Sequence, residues 1–310
     1  MTKIEWVKSA DGSRGQTWNP IVGCSVTSPG CTNCYAMNMA RRCEAMGTAH
    51  YAGTTTVVNS KAVWTGKIAQ APDSTLLAPL RRRKPTTYFV NSMGDLFHEA
   101  VPDELIDRVF AVMALCPQHT FQVLTKRSAR MRQYCSTPDR LTIVREQGFV
   151  DHGGRVNGRH ARDIPTEKTW PLPNVWLGVS AENQRTADER IPDLLATPAA
   201  VMFVSAEPLL GPICLTDTVY NDQTGYSHQG FLRDKCESDD YRHHSPKLDL
   251  VIVGGESGPA ARDNDFITNA RSLLAQCQAA GVPFFGKQNV GKKPLPDDLM
   301  ERQLPEVHHG

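Results

Sequence analysis

No stretch of apolar residues in this 310-residue chain approaches the ~20 that a membrane-spanning helix needs. The opening Met1–Trp6, MTKIEW, lacks the charged-then-apolar layout of a secretion signal. Net charge is scarce too. Thirty-four Lys and Arg against 33 Asp and Glu leave +1, so no global basic field draws the chain to nucleic acid, although a local groove can be basic within a neutral chain. A disulfide framework is also missing, since the nine cysteines are three clustered and six scattered. These absences argue against a helical membrane protein and a secreted disulfide scaffold, and they point to a reducing cytoplasm. With 40% hydrophobic and 22% charged residues, the chain can bury one large core or two domains.

What is present starts with Thr17–Ala36, TWNPIVGCSVTSPGCTNCYA. Cys24, Cys31 and Cys34 fall in eleven residues, spaced C-x6-C-x2-C, among the turn formers Gly23, Ser28, Pro29 and Gly30. Such a loop lets three thiolates converge on one point. Soft thiolates select zinc, copper(I) or iron–sulfur clusters. A structural zinc site wants four closed ligands and ordinary iron–sulfur carriers four cysteines, yet no fourth cysteine or histidine lies at close spacing. The nearest, Cys43, is nine residues on. Three ligands imply a [4Fe–4S] cluster with one iron left open.

Along the chain, apolar strand-like runs alternate with helical ones. Strands are expected over Trp18–Val22, Thr86–Val90, Thr120–Leu124, Val175–Val179, Val201–Val204, Leu248–Val253 and Val282–Phe285. Helices are expected over Ala36–Met46, Asp103–Leu115, Ser128–Tyr134, Thr186–Leu195 and Ile267–Ala280. Gly47–Lys67, rich in Thr and Gly, has no clear assignment. The alternation predicts an α/β fold with a parallel sheet, either doubly wound or a barrel. The polar stretches 138–172 and 216–247 read as insertions in a single domain spanning 1–310. They carry His152, His160, His228, Cys236, His243 and His244, which lack metal-ligand spacing and read as solvated loop.

The cysteine loop resembles that of the radical S-adenosylmethionine (SAM) superfamily, although the usual C-x3-C-x2-C spacing is stretched. The aromatic, Tyr35, also follows the last cysteine, whereas Asn33 precedes it. The blocks TWNPIVGC, GCTNCYA, FVNSMGDLFHEAVPDELIDRVFAVM, HTFQVLTKR, PNVWLGVSAE, FVSAEPLLGPI, VIVGGESG and VPFFGKQ resemble a phage-associated three-cysteine branch. The resemblance implies a partial (β/α)6 barrel and a [4Fe–4S] cluster on Cys24, Cys31 and Cys34. It also implies SAM as cofactor and an electron donor as partner. The implied chemistry is cleavage of SAM to a 5′-deoxyadenosyl radical that abstracts hydrogen from a substrate.

Ligands of parallel sheets gather outside the carboxyl ends of the strands. Under the resemblance, Asn91, Ser92 and Asp95 follow the second strand, where the SAM ammonium is bound. Lys126 is placed for the SAM carboxylate, Ser180 and Glu182 for the ribose, and Glu207 with Tyr35 on the cofactor side. Glu256, Lys287 and Gln288 are assigned to substrate, and the glycines beside Glu256 read equally as an anion-cradling turn. No residue is assigned as catalytic. The implied substrate is an amino-acid-modified thymine in phage DNA, acted on by an isomerase; FVNSMGDLF also looks distantly like spore photoproduct lyase. Two local basic runs, Arg81–Lys84 and Lys126 with Arg127, Arg130 and Arg132, are candidates for phosphate contact. Other classes stay open: a small-molecule radical enzyme, or a zinc- or cluster-stapled binding module with a protein partner.

Overall fold

The computed structural model describes residues 4–9, 11–147, 155–156, 159–160, 164, 170–216, 218–221, 226–232, 247–258 and 260–305. Seven strands form one sheet: β1 (Gln16–Trp18), β2 (Thr87–Val90), β3 (Thr120–Thr125), β4 (Val175–Ser180), β5 (Val201–Ala206), β6 (Leu250–Gly254) and β7 (Phe284–Gln288). Every neighbouring pair is parallel, and spatial order equals chain order. An unreversed order means that each crossover runs the same way, so the right-handed rule puts the helices on one face. The sheet therefore curls into a half-barrel of seven strands, an α/β fold. Helices among its connections include α1 (Tyr35–Ala45), α2 (Asp103–Ala114), α3 (Ser128–Cys135), α4 (Gln184–Leu195) and α5 (Phe266–Ala280).

Period-2 alternation splits the core in two. Phe121, Val123, Leu177, Val179, Val204, Val251 and Val253 pack outward with Ile106, Val109 and Phe110 of α2, Ile191 of α4 and Leu273 of α5. Phe89, Trp176, Phe203, Leu250, Ile252 and Phe285 face inward. The half-barrel is plugged there by Trp6, whose ring centroid lies 5.0 Å from Phe89 and 5.7 Å from Phe203. Burial on both faces is what makes these strands read as unbroken apolar runs.

Most expected elements recur with shifted ends, but the expected Trp18–Val22 strand is split: Trp18 ends β1, and Ile21–Val22 pairs antiparallel with Ala69–Gln70 outside the main sheet. Asn183 caps α4 by accepting from the Thr186 N–H at 3.1 Å, which starts the helix two residues early. The last strand starts at Phe284, after Pro283, which has no N–H to donate to the ladder. The unassigned Gly47–Lys67 contains a hairpin, Thr55–Val58 with Lys61–Trp64, turning on Asn59 and Ser60 at φ 47° and 62°. Both central residues are left-handed, as the tight hairpin turn demands. Of the two expected insertions, the structure describes a helix at Arg140–Gln147 and two antiparallel pairs, Arg155–Val156 with Arg159–His160 and Thr218–Asn221 with Tyr226–Gln229. His152, Cys236, His243 and His244 lie outside the described residues. Among the described residues no helix is long and apolar enough to cross a membrane.

Candidate functional site

The cysteine loop begins at Gly23, which follows the short strand Ile21–Val22 and has φ 92°, and a Cβ there would lie 2.1 Å from the Lys67 carbonyl oxygen. Only glycine passes there. A 3-10 turn, Pro29–Cys31, then brings the chain to Cys34, the N-cap of α1. Cys24, Cys31 and Cys34 are free thiols lining one cavity of about 220 Å³ at the carboxyl end of the half-barrel.

Their surroundings differ. Burial, reinforced by the Asp95 carboxylate, pushes the Cys24 thiol up to about 12, against the opposing pull of Arg127. Burial also raises Cys34, despite the N–H groups of Ala36 and Met37. Burial opposes ionisation of Cys31 as well, but there the Lys126 ammonium and hydrogen bonds from Thr27 and Ser28 prevail and hold it below the ordinary thiol value. Arg127 donates from Nη1 to Cys24 Sγ at 3.4 Å. Among the described residues, no three or more His, Cys, Asp and Glu side chains are gathered as if on a metal ion. The donor set still suits a thiolate-held cluster: three uncrosslinked thiols on one cavity wall, with the Arg127 guanidinium donating to Cys24 and the Thr27 hydroxyl within reach of Cys31.

The loop is tied to the half-barrel at two carboxylates. Glu182, with a side chain 0% exposed, accepts from Ser28 Oγ at 2.7 Å, from Lys126 Nζ, and from Arg190 Nη1 at 3.2 Å. Gly30 passes so close that a Cβ there would sit 2.4 Å from Glu182 Oε1. Glu256 accepts from Asn33 Nδ2 at 3.0 Å, from the Arg262 N–H at 2.9 Å and from Arg262 Nε at 3.0 Å. Arg262 also donates to the Pro29 carbonyl at 2.9 Å. In both carboxyls burial opposes ionisation, yet the cationic partners win and hold them below the ordinary value.

Of the residues expected at the site, Tyr35, Asn91, Ser92, Asp95, Lys126, Ser180, Glu207, Glu256 and Lys287 line this cavity with the cysteines. Glu182 and Gln288 do not. Glu182 has a side chain 0% exposed and accepts from Lys126, and Gln288 donates to the Gly255 carbonyl at 3.0 Å, bracing that turn. The Gly255 N–H is itself used by Gln288 O at 2.8 Å and is not free to cradle an anion.

Asp95 needs a similar correction. Oδ1 accepts from Thr125 Oγ1 at 2.7 Å and Phe97 N at 3.0 Å, and Oδ2 from Lys126 N at 3.1 Å and Arg127 Nη1 at 3.2 Å. With two bonds on each oxygen it organises the loop after β3 and has no place left for an ammonium. Ser92 is tied to Asn19 Oδ1 at 3.0 Å, and the Tyr35 hydroxyl donates to the Ser92 carbonyl at 3.1 Å. Glu256, saturated by Arg262 and Asn33, holds the cysteine loop and is not free for substrate.

Several cations of the two basic runs have protein partners, those of Lys84 and Arg132 in exposed pairs. Arg127 pairs with Asp95 and Glu99, Arg130 with Asp103, Arg132 with Asp193, and Lys84 with Asp11. Arg82 donates from Nε to Thr86 Oγ1 at 2.6 Å. Three wall residues had no sequence signal: Trp64 arrives on the unassigned hairpin, while Ile4 and Trp6 come from the amino-terminal segment and close the cavity with Phe89 and Leu124.

No curated protein and no solved structure matches the chain. A family model described as a protein of unknown function (DUF5131) matches residues 1–303.

Proposed function

Because the chain belongs to the DUF5131 family, whose function is unknown, its own residues carry the reading, and we propose that it is a radical-SAM enzyme on a partial α/β barrel. Cys24, Cys31 and Cys34 would hold a [4Fe–4S] cluster, and the cavity beside them would take SAM and a substrate. One observation carries this reading: the three thiols and the carboxyl ends of the parallel strands line a single cavity. When bound, the cluster and SAM supply a one-electron cleavage yielding a 5′-deoxyadenosyl radical.

The chain's own contribution is placement and exclusion. Glu182 and Glu256 hold the loop against the strand ends, and Lys126 sets positive charge beside Cys31. Trp6, Phe89 and Leu124 close the floor with apolar surface, which keeps water from a reactive species. The proposed reaction is a rearrangement of an amino-acid-derived group on a modified thymine.

Anaerobic reconstitution tests the reading. The protein should take up about four irons per chain, as the cluster type requires. With SAM and reductant it should release 5′-deoxyadenosine and methionine. The triple variant Cys24→Ala/Cys31→Ala/Cys34→Ala should do neither. One tightly held zinc, with no cluster and no 5′-deoxyadenosine, overturns the proposal.

A further inference from the structure

Four carboxylates stand on or directly behind this cavity, and three are consumed by the protein itself. Asp95 accepts four hydrogen bonds, Glu182 three from three different side chains, and Glu256 is clasped by Arg262 and Asn33. Glu207 differs. Its Oε1 meets Lys287 Nζ, and Oε2 has no hydrogen-bond partner among the described residues. Lys287 likewise spends one of three ammonium protons on this contact. Both side chains remain partly accessible, 22% and 15%, and both line the cavity.

The pair forms across β6, where Gly254 stands between the carboxyl ends of β5 and β7. A Cβ at Gly254 would come 3.2 Å from Glu207 Cδ, so the glycine leaves the carboxylate its path to Lys287. The ladder shifts register between Val253 and Gly254, and Gly254 then faces Gln288, which leaves Lys287 directed into the cavity. The other lysine–glutamate pair of the site, Lys126 with Glu182, has its carboxylate fully buried and braced by Arg190 and Ser28. One pair is a structural tie; the other is a partly accessible dipole with unused donors and an unused acceptor.

We propose that Glu207 and Lys287 form a subsite for an amino-acid zwitterion, Lys287 receiving the α-carboxylate and Glu207 the α-ammonium. The ligand lies antiparallel to the Lys–Glu dipole, so each charge meets its opposite and both open positions are filled by charge-assisted hydrogen bonds. A lone anion would face Glu207 and a lone cation Lys287, so the pair selects against both. Two sources carry this headgroup: the methionine end of SAM, and a substrate-borne amino acid whose ammonium and α-carboxylate are both free. Calling the subsite part of an active site rests on the proposed function, whereas zwitterion binding stands apart from any cluster.

Calorimetry on the full chain without reconstituted cluster tests the subsite. The probes are L-serine, L-methionine and SAM, with N-acetylserine and serinamide each lacking one charge. Serine or methionine should bind, and the two blocked derivatives should not. Glu207→Gln/Lys287→Met removes both charges without stranding either, and should weaken binding by about tenfold or more, the loss of a charge-assisted hydrogen bond. Unchanged thermal unfolding of that variant excludes a folding defect, because both residues sit at the cavity wall. Weakened serine with unchanged SAM assigns the subsite to substrate; weakened SAM assigns it to the methionine end of the cofactor. Blocked derivatives that bind as well as serine, no binding of any probe, or equal binding by the variant overturns the proposal. An absent cluster with serine still bound would sink the radical-SAM reading alone.

Discussion

Glu182 is the residue on which the site's geometry turns. Burial alone would raise its carboxyl, but Lys126 and Arg190 outweigh that and hold it below the ordinary value of 4.5. A carboxylate held down in this way contributes stability that is complete above pH 4.5 and is lost as pH falls through its lower folded value. Glu182→Gln leaves Arg190, 2% exposed, without its ion partner. Breaking a buried pair from one side costs about 3–5 kcal/mol. Urea unfolding should show that loss at neutral pH and a gentler decline of stability below pH 4.5 than in the parent chain. Equal stability of the two proteins would mean that the tie between Ser28, Lys126 and Arg190 does not hold the cysteine loop.

At the scale of elements, the hairpin at Thr55–Val58 and Lys61–Trp64 brings Trp64 both under α1 and to the cavity wall. Its turn holds Ser60 at φ 62°, a left-handed conformation that costs an L-residue about 1–2 kcal/mol. Ser60→Gly relieves that cost and restores the Asn-Gly pair favoured in such turns. The variant is expected to gain on the order of 0.5–1 kcal/mol, less than the full relief because glycine is freer when unfolded. Thermal denaturation checks it, and a lowered melting temperature would refute the assigned turn. The absence of that glycine is also why the hairpin was illegible: Asn59–Ser60 carries no strong turn signal, and Thr55–Val58 is exposed along most of one strand. By contrast α2 was legible almost to the residue, because Pro102 and Asp103 mark its start and the apolar residues Leu105, Ile106, Val109, Phe110 and Met113 repeat at helical period.

For the whole molecule, the half-barrel depends on an inner plug supplied by the segment that precedes its first strand. Trp6 packs against Phe89 and Phe203 and also forms part of the cavity wall. A seven-stranded half-barrel leaves its inner face uncovered on one side, so an amino-terminal segment has to supply apolar surface there. Trp6→Ala should cost about 3–5 kcal/mol by cavity formation and enlarge the pocket at its floor. Guanidinium unfolding measures the first effect, and binding of a hydrophobic dye to the native protein the second. A variant as stable as the parent would show the segment to be dispensable.

The chain by itself determined the alternation of strands and helices, the parallel sheet, the three-thiol loop and the set of residues at the strand ends. Each of these rests on local pattern: periodicity, capping and turn composition report which face of an element is buried, whatever it is buried against. Tertiary structure alone decided which charged groups are spent. Ser28 and Glu182 are 154 residues apart, Asn33 and Glu256 are 223 apart, and no local pattern encodes such pairings. For that reason Asp95, Glu182 and Glu256 look equivalent to Glu207 along the sequence, as four acidic residues following strands. In the folded chain three of them hold the protein together, and the fourth faces the cavity with an oxygen to spare.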